Sequence, residues 1–345
     1  MQPKTAAVRA ALAIAEPDPS TAEQERFLDA RNGVKRYLVA LAEDVRRHLA
    51  VLGLRNATEL VGRVDLLEQI APEAHERAVL VDLSALLADV KPYAAPARRP
   101  ITCAPSALEE QLLEVVRKQG HLDHTGPICT ADRSLGARIS GSIAEGSLRV
   151  SGPLRLSFYG MAGQGFGFAL VDPIELRLRG YANDTVAEVM HGGTVVIVPP
   201  ANRDSGRSLV GNAAAYGATG GALFVAGRAG QRFGVRNSGA QLVCEGVGKY
   251  AFEYMTGGAG AVLGPLGRVI GSGMTGGELF LLDDGQLASR LHADARIAPW
   301  DADAEHRARV LIEKHHAATG SAIAAELLAD PAAISTRMRR VVSAI

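Results

Sequence analysis

The chain opens with a helical period and later abandons it. Residues 1 to about 30 are rich in alanine, proline and acidic side chains, with Pro17-Asp18-Pro19 as a break. They predict a short helix followed by a mobile joint. From Val34 the apolar positions Val34, Tyr37, Leu38, Leu41, Val45, Leu49 and Leu52 recur three and four apart. Lys35, Arg36, Glu43, Asp44, Arg46 and Arg47 take the opposite face. This is the period of an amphipathic helix, and Gly53 is a good stop for it. The stretch Leu60-Val61-Gly62-Arg63-Val64-Asp65-Leu66-Leu67 follows, then a second helix-like segment near Leu80 to Leu87. Pro92, Pro96, Pro100 and Pro105 mark a linker. A further helix is expected from Ser106, as N-cap, to Lys118, with Leu108, Leu112, Leu113, Val115 and Val116 apolar.

After Gly126-Pro127 the period becomes extended. Short apolar runs such as Thr194-Val195-Val196-Ile197-Val198, Ala222-Leu223-Phe224-Val225 and Glu278-Leu279-Phe280-Leu281-Leu282 lie between glycine pairs. Leu154, Ile174, Thr194, Ala222, Gln241, Gly260 and Leu279 align as the cores of successive runs. The spacing is a repeat of about 20 residues, within the range that marks a solenoid. One longer step, before Ala222, is accounted for by a polar insertion at 201–207. Interior glycine costs a helix about 1 kcal/mol each, whereas short strands joined at glycine corners tolerate it. The expected fold is therefore mainly β, a right-handed parallel β-helix with N-terminal and C-terminal α-helical segments. The predicted division is a helical region over 1–105, a connecting helix and linker over 106–127, the β-helix over 128–297 and a helical cap over 298–345. In that cap Asp303 is the expected N-cap and Gly320 divides two helices, which are expected to cover one end of the solenoid.

Composition narrows the function classes. Lys+Arg and Asp+Glu are both 37 in 345 residues, so there is no cationic excess for tracking a nucleic-acid backbone. No run approaches the ~18 apolar residues of a membrane helix, and Met1 to Ala15 lacks a secretory pattern. The three cysteines, Cys103, Cys129 and Cys244, are scattered, which fits reduced thiols in a cytoplasmic protein.

The segment Gly211 to Ala240, the segment Glu245-Gly246-Val247-Gly248 through Glu253-Tyr254-Met255-Thr256-Gly257-Gly258, and Gly273-Met274-Thr275-Gly276-Gly277 together resemble the C-terminal GXGXG β-helix domain of the glutamate synthase large subunit. Arg31 to Leu67 resembles the helical tail that follows the flavin barrel in that family, and Thr130 to Arg138 resembles the entry to the β-helix. The resemblance implies a non-catalytic structural subunit that scaffolds a glutamine amidotransferase-like subunit, an FMN-dependent glutamate-synthase-like subunit, or both. The family's amidotransferase begins with a cysteine nucleophile, where this chain begins Met1-Gln2-Pro3. Its three clustered iron–sulfur cysteines and its flavin barrel are likewise not matched here. FMN and the iron–sulfur cluster are thus expected on a partner chain, with no catalytic, cofactor-binding or metal residue on this one.

Gly163-Gln164-Gly165-Phe166-Gly167 invites a dinucleotide reading, but that fingerprint needs a strand before it and a helix after it. Here Phe168-Ala169-Leu170 and Pro173 lead into another strand, so a structural corner is preferred. His121-Leu122-Asp123-His124 with Cys129 lacks the second half of a zinc site, and adjacent His315-His316 point to different helix faces. Arg228, Arg232, Arg236, Asn237, Glu245, Glu253 and Tyr254 form the densest polar set in the matching core. They are read as structural or interface candidates, either ladders that brace stacked coils or part of a partner-facing surface. An alternative makes the chain an enzyme working in a β-helix groove, with Asp172, Glu175, Asp184 and Glu188 as its nearest carboxylates.

Overall fold

The computed structural model describes residues 21–70, 81–88, 106–200, 208–330 and 332–344, in two compact units divided at Ile101 and Thr102. The expected proline break at 17–19, the insertion at 201–207, Cys103 and the prolines of the linker lie outside the described residues.

Among the described residues of the first unit, α1 (Thr21–Val51) runs as one continuous helix, with no joint near residue 30. Gly53 then adopts φ +70°. Residues 57–60 and 64–66 form two short 3-10 turns, the first capped by the Asn56 side chain. Residues 81–88 make a turn, tied to Gln69 through Val81 O and Leu83 N, rather than the expected helix. Leu86 and Leu87 both donate to Leu83 O, which is too few bonds to nucleate one.

The second unit holds α2 (Ala107–Gln119), β1 (Leu122–Ile128), α3 (Ala137–Ala144), β2 (Leu154–Ala162), β3 (Ile174–Ala182), β4 (Thr194–Val198), β5 (Ala222–Val225), β6 (Ser238–Cys244), β7 (Thr256–Val262), β8 (Gly276–Leu282), α4 (Leu287–Arg290), β9 (Ala295–Ile297), α5 (Ala302–Thr319), α6 (Ala322–Ala329), α7 (Ala333–Arg337) and β10 (Met338–Ser343). Strands β1 to β8 lie in sequence order, each parallel to the next, and β10 and β9 continue the sheet antiparallel. This is a β-solenoid. Its first strand starts at Leu122, ahead of the position 128 read from the sequence.

The register follows the sequence repeat with two slips. Leu154 faces Ile174, Thr194 faces Ala222, and Ala222 faces Gln241, as the repeat predicts. Thr194, however, faces Glu175 rather than Ile174, and Gln241 faces Ala259 rather than Gly260. A one-residue slip exchanges the two faces of a strand. Val195 to Val198 are apolar on both faces, so their pattern alone did not fix which face is inward.

Both faces of β4–β8 are indeed buried. Val195, Ile197, Leu223, Val225, Leu242, Leu279 and Leu281 line the interior. Val196, Val198, Phe224, Val243, Ala261, Leu263 and Phe280 form a second core on the outer face with residues of α5–α7. Helix α5 lies across β4 to β7, and its N-cap is Asp301 rather than Asp303: the Asp301 carboxylate accepts from Ala304 N at 2.7 Å. Thus the C-terminal helices cover the side of the sheet and not its end. Continuous apolar strands expose a hydrophobic outer face that must be covered, and beyond β8 the sheet is extended by strand β10, at a segment expected to be helical. The interior is closed at the β1 end by α2, whose Leu112, Leu113 and Val116 join the interior core with Ile139 of α3.

Ser106 sits at the N-cap of α2, but its hydroxyl donates to Asp132 Oδ1 at 2.9 Å instead of capping the helix. The cap that does act here crosses between helices. Buried Glu109 of α2 accepts from Gly136 N and Arg138 N, both at 2.9 Å, at the start of α3. Burial raises the Glu109 carboxyl above the ordinary carboxylate value, against these backbone bonds. A raised folded value means the native state binds more protons than the unfolded chain, so stability is lost as pH rises through it. Glu109→Gln is therefore expected to flatten the dependence of the urea midpoint on pH above 4.5, relative to the wild type. Glu109→Ala strands two amides and should cost about 1–3 kcal/mol at any pH. Equal pH profiles for wild type and Glu109→Gln would refute this account.

Candidate functional site: a left-handed ladder and its arginine–tyrosine stacks

The glycine-rich motif lies on the side of each coil away from the strands, where the backbone alternates between right-handed and left-handed conformations. Gly165, Gly167 and Ala169 all have positive φ. The same trio recurs in the next coils as Thr185, Ala187 and Val189, then Ala213, Ala215 and Gly217, then Arg232, Gly234 and Arg236, then Tyr250, Phe252 and Tyr254, then Val269, Gly271 and Gly273. The expected single corner is in fact a stretch of alternating turns stacked through the coils.

The hydrogen bonds explain its persistence. The outer members of each trio donate forward: Gly165 N to Asp184 O at 3.0 Å, Ala169 N to Glu188 O at 2.8 Å, Arg232 N to Lys249 O at 2.9 Å and Arg236 N to Glu253 O at 2.8 Å. The central member donates backward: Gly167 N to Leu135 O at 2.9 Å, Ala187 N to Phe166 O at 2.9 Å and Phe252 N to Phe233 O at 2.7 Å. A left-handed conformation costs a non-glycine residue roughly 1–2 kcal/mol, and each coil is held to it by bonds to both neighbours. Glycine is required where space fails: a Cβ on Gly234 would lie 2.7 Å from the Phe252 ring. Phe252 itself is fully buried at φ +57° and meets Phe233 edge to face, with centroids 5.7 Å apart.

This geometry sorts the sequence candidates. Arg232, Arg236, Glu253 and Tyr254 come together on the ladder. The Arg232 guanidinium lies 5.9 Å from the Tyr250 ring centre, and that of Arg236 lies 5.9 Å from the Tyr254 ring centre, each in the following coil. Arg232 Nε is 3.8 Å from Glu253 Oε2. Tyr250, absent from the expected set, belongs to it; the repeat spacing between Arg232 and Tyr250 was the available signal. Arg228 is exposed, with its chain beside Gly246. Asn237 is buried in a turn, its carboxamide bonded to Ala240 N and Ala240 O. Glu245 is elsewhere, under the helical layer, where it accepts from Ser321 Oγ at 2.5 Å and lies 3.8 Å from buried His315 Nε2. An exposed cation–π contact contributes about 0.5–1 kcal/mol. Arg236→Ala should lower stability by that amount in urea unfolding, and Arg236→Lys by less; no change in either would remove the stacks from the stabilising contacts.

Three of the four carboxylates of the alternative reading, Asp172, Asp184 and Glu175, each have a partner of their own. Asp172 Oδ1 accepts from Gly193 N at 2.8 Å and Asp184 Oδ1 from Asn212 N at 2.6 Å, both tying one coil to the next. Glu175 is on the sheet face, 4.0 Å from Arg155 Nε. Cys244 is buried on β6, and burial pushes its thiol up to about 12. Cys129 follows β1, its Sγ 3.3 Å from Asp132 Oδ2. Four strands, β2 to β5, lie between β1, which Cys129 follows, and β6, which carries Cys244, so these two thiols do not make a cluster-ligating set. Among the described residues no three His, Cys, Asp or Glu side chains group as metal ligands. No helix among them is long and apolar enough to cross a membrane.

A parallel solenoid with a stacked left-handed ladder is the class these features define. The family model described as the GXGXG motif matches residues 106–344, and the chain belongs to that family. It is 36% identical over 326 residues to ferredoxin-dependent glutamate synthase 2 of Synechocystis sp., covering 89% of this chain and 21% of that protein. It is 48% identical over 202 residues to ferredoxin-dependent glutamate synthase of Pyropia yezoensis, covering 56% of this chain and 13% of that one. With ferredoxin-dependent glutamate synthase 2 of Arabidopsis thaliana, a chloroplastic protein, identity is 38% over 274 residues, covering 75% and 17%. The chain thus spans about a fifth or less of the length of these relatives.

Proposed function

We propose that this chain is the structural, non-catalytic subunit of a glutamate-synthase-like complex in amino-acid nitrogen metabolism. It scaffolds a glutamine amidotransferase-type subunit, an FMN-dependent synthase-type subunit, or both. FMN and any iron–sulfur cluster belong to those partners, and the assembly is cytoplasmic. The supporting observation is the use made of two amides of the G-x-G-x-G motif and of Ala169 just after it. Gly165 N, Gly167 N and Ala169 N donate to Asp184 O, Leu135 O and Glu188 O. Amides engaged coil to coil are not offered to a phosphate, which needs them free and convergent. This supports reading the motif as a builder of the solenoid.

The test is co-expression of the full chain with amidotransferase-type and flavin-dependent subunits of the same source, followed by native mass spectrometry. A stoichiometric complex is expected, with glutamine-dependent glutamate formation only when all subunits are present. Turnover by the chain alone, or its failure to join either subunit, would reject the proposal.

A further inference from the structure

The outer face of the sheet is covered over half its width. Across β4–β8 it is apolar and lies under α5–α7. Among the described residues of the second unit that cover stops at β3, where Arg177 Nη2 donates at 2.8 Å to Ala318 O in the last turn of α5. From there the same face continues over β3 and β2 with a different chemistry. Tyr159 faces Arg179 and Met161 faces Tyr181 in register, and Arg155 faces Glu175. Tyr159 and Met161 are 53% and 50% exposed. Arg179 is exposed and has no ionic partner among the described residues.

We propose that this open half of the face docks a helix of a partner subunit, one with an apolar centre and carboxylates along its margin. The inference rests on the scaffold function proposed above and names the surface it uses. Three observations select this occupant. First, α5 already supplies a helical layer on this face up to Arg177, so the open strands adjoin a surface that packs against a helix. Second, Arg155, Arg177 and Arg179 carry three positive charges, against Glu175 on β3 and Asp123 on β1, so the local excess is cationic and calls for an acidic partner. Third, tyrosine, methionine and arginine are the side chains that anchor the centres of interfaces. Tyr159 and Met161 lie toward the C-terminal end of β2, with Arg179 and Tyr181 beside them on β3, which is an arrangement that an amphipathic helix matches.

The experiment measures dissociation constants for the full chain with each co-expressed subunit type. The variants are Arg179→Glu, Tyr159→Ala/Met161→Ala and, as a control on the far side of the solenoid, Arg268→Glu. Circular dichroism and thermal midpoints verify that each variant folds. Arg179→Glu and the double variant are expected to weaken the complex tenfold or more, and Arg268→Glu to stay within twofold of wild type. Higher salt should weaken the wild-type complex and have less effect on Arg179→Glu. If wild type assembles and the two face variants bind as tightly, this docking surface is wrong while the scaffold function stands. If wild type joins neither subunit, both fall. If the face variants alter only association between copies of this chain, seen by sedimentation, the occupant is a second copy and the proposal is overturned.

Discussion

Gly180→Ala lowers stability by about 4 kcal/mol or more, enough to leave little folded protein. Gly180 is at φ +155° in β3, and a Cβ there would lie 1.8 Å from Gly160 O in β2. The obstacle is backbone, so no rotamer can relieve it. Nor can β2 withdraw, because a Cβ on Gly160 would itself meet Ile128 O of β1 at 2.4 Å. These three strands pass one another more closely at this level than any side chain permits. Gly141→Ala provides the contrast. Gly141 lies inside α3, where an added Cβ meets nothing within 4 Å, and alanine should stabilise by about 0.5–1 kcal/mol. Paired urea unfolding curves decide the matter. A wild-type midpoint for Gly180→Ala would show that the coils are not stacked as described.

Ending the chain at Ala298 is the second large effect. It removes α5, α6, α7 and β10 and uncovers Val196, Val198, Phe224, Val243, Leu263 and Phe280. Phe280 also loses its edge-to-face contact with Trp300, whose ring centre is 6.0 Å away. Each such side chain contributes about 1.5–3 kcal/mol on burial, so the loss is on the order of 10 kcal/mol, comparable with the whole stability of a domain. Glu278 simultaneously loses Arg307 and Arg340, the two guanidinium partners that outweigh burial and hold its carboxyl below the ordinary value. The truncated chain is expected to aggregate through β4–β8 and to bind a hydrophobic dye. A soluble product with a cooperative transition near the wild-type temperature would mean that the helical layer is an accessory and not part of the core.

Much of this was legible in the sequence. A repeat of about 20 residues, glycine pairs and short β-branched runs leave few solutions besides stacked parallel strands, because the spacing fixes the coil length and the glycines exclude helices. The amphipathic helix from Val34 and the helix after Ser106 were also readable from their period. The candidate residues were less legible. Arg232, Arg236, Glu253 and Tyr254 meet because the coil spacing superimposes them. Glu245, next to them in sequence terms, is at the end of β6 and turns under α5 and α6. Sequence proximity could not separate the ladder side of the coil from the strand side.

The sequence alone determined the solenoid and its family, since a periodic backbone requirement is written at every repeat. Tertiary structure decided three further matters. It decided the register at β3–β4 and β6–β7, where strands apolar on both faces or rich in glycine carry no signal for which face turns inward. It decided that the C-terminal helices lie on the side of the sheet, because an exposed apolar face must be covered wherever it occurs. And it decided that the glycine motif is a ladder of alternating hand, since the bonds that maintain a left-handed Thr185, Arg232 or Phe252 come from the neighbouring coils and are invisible within any one of them.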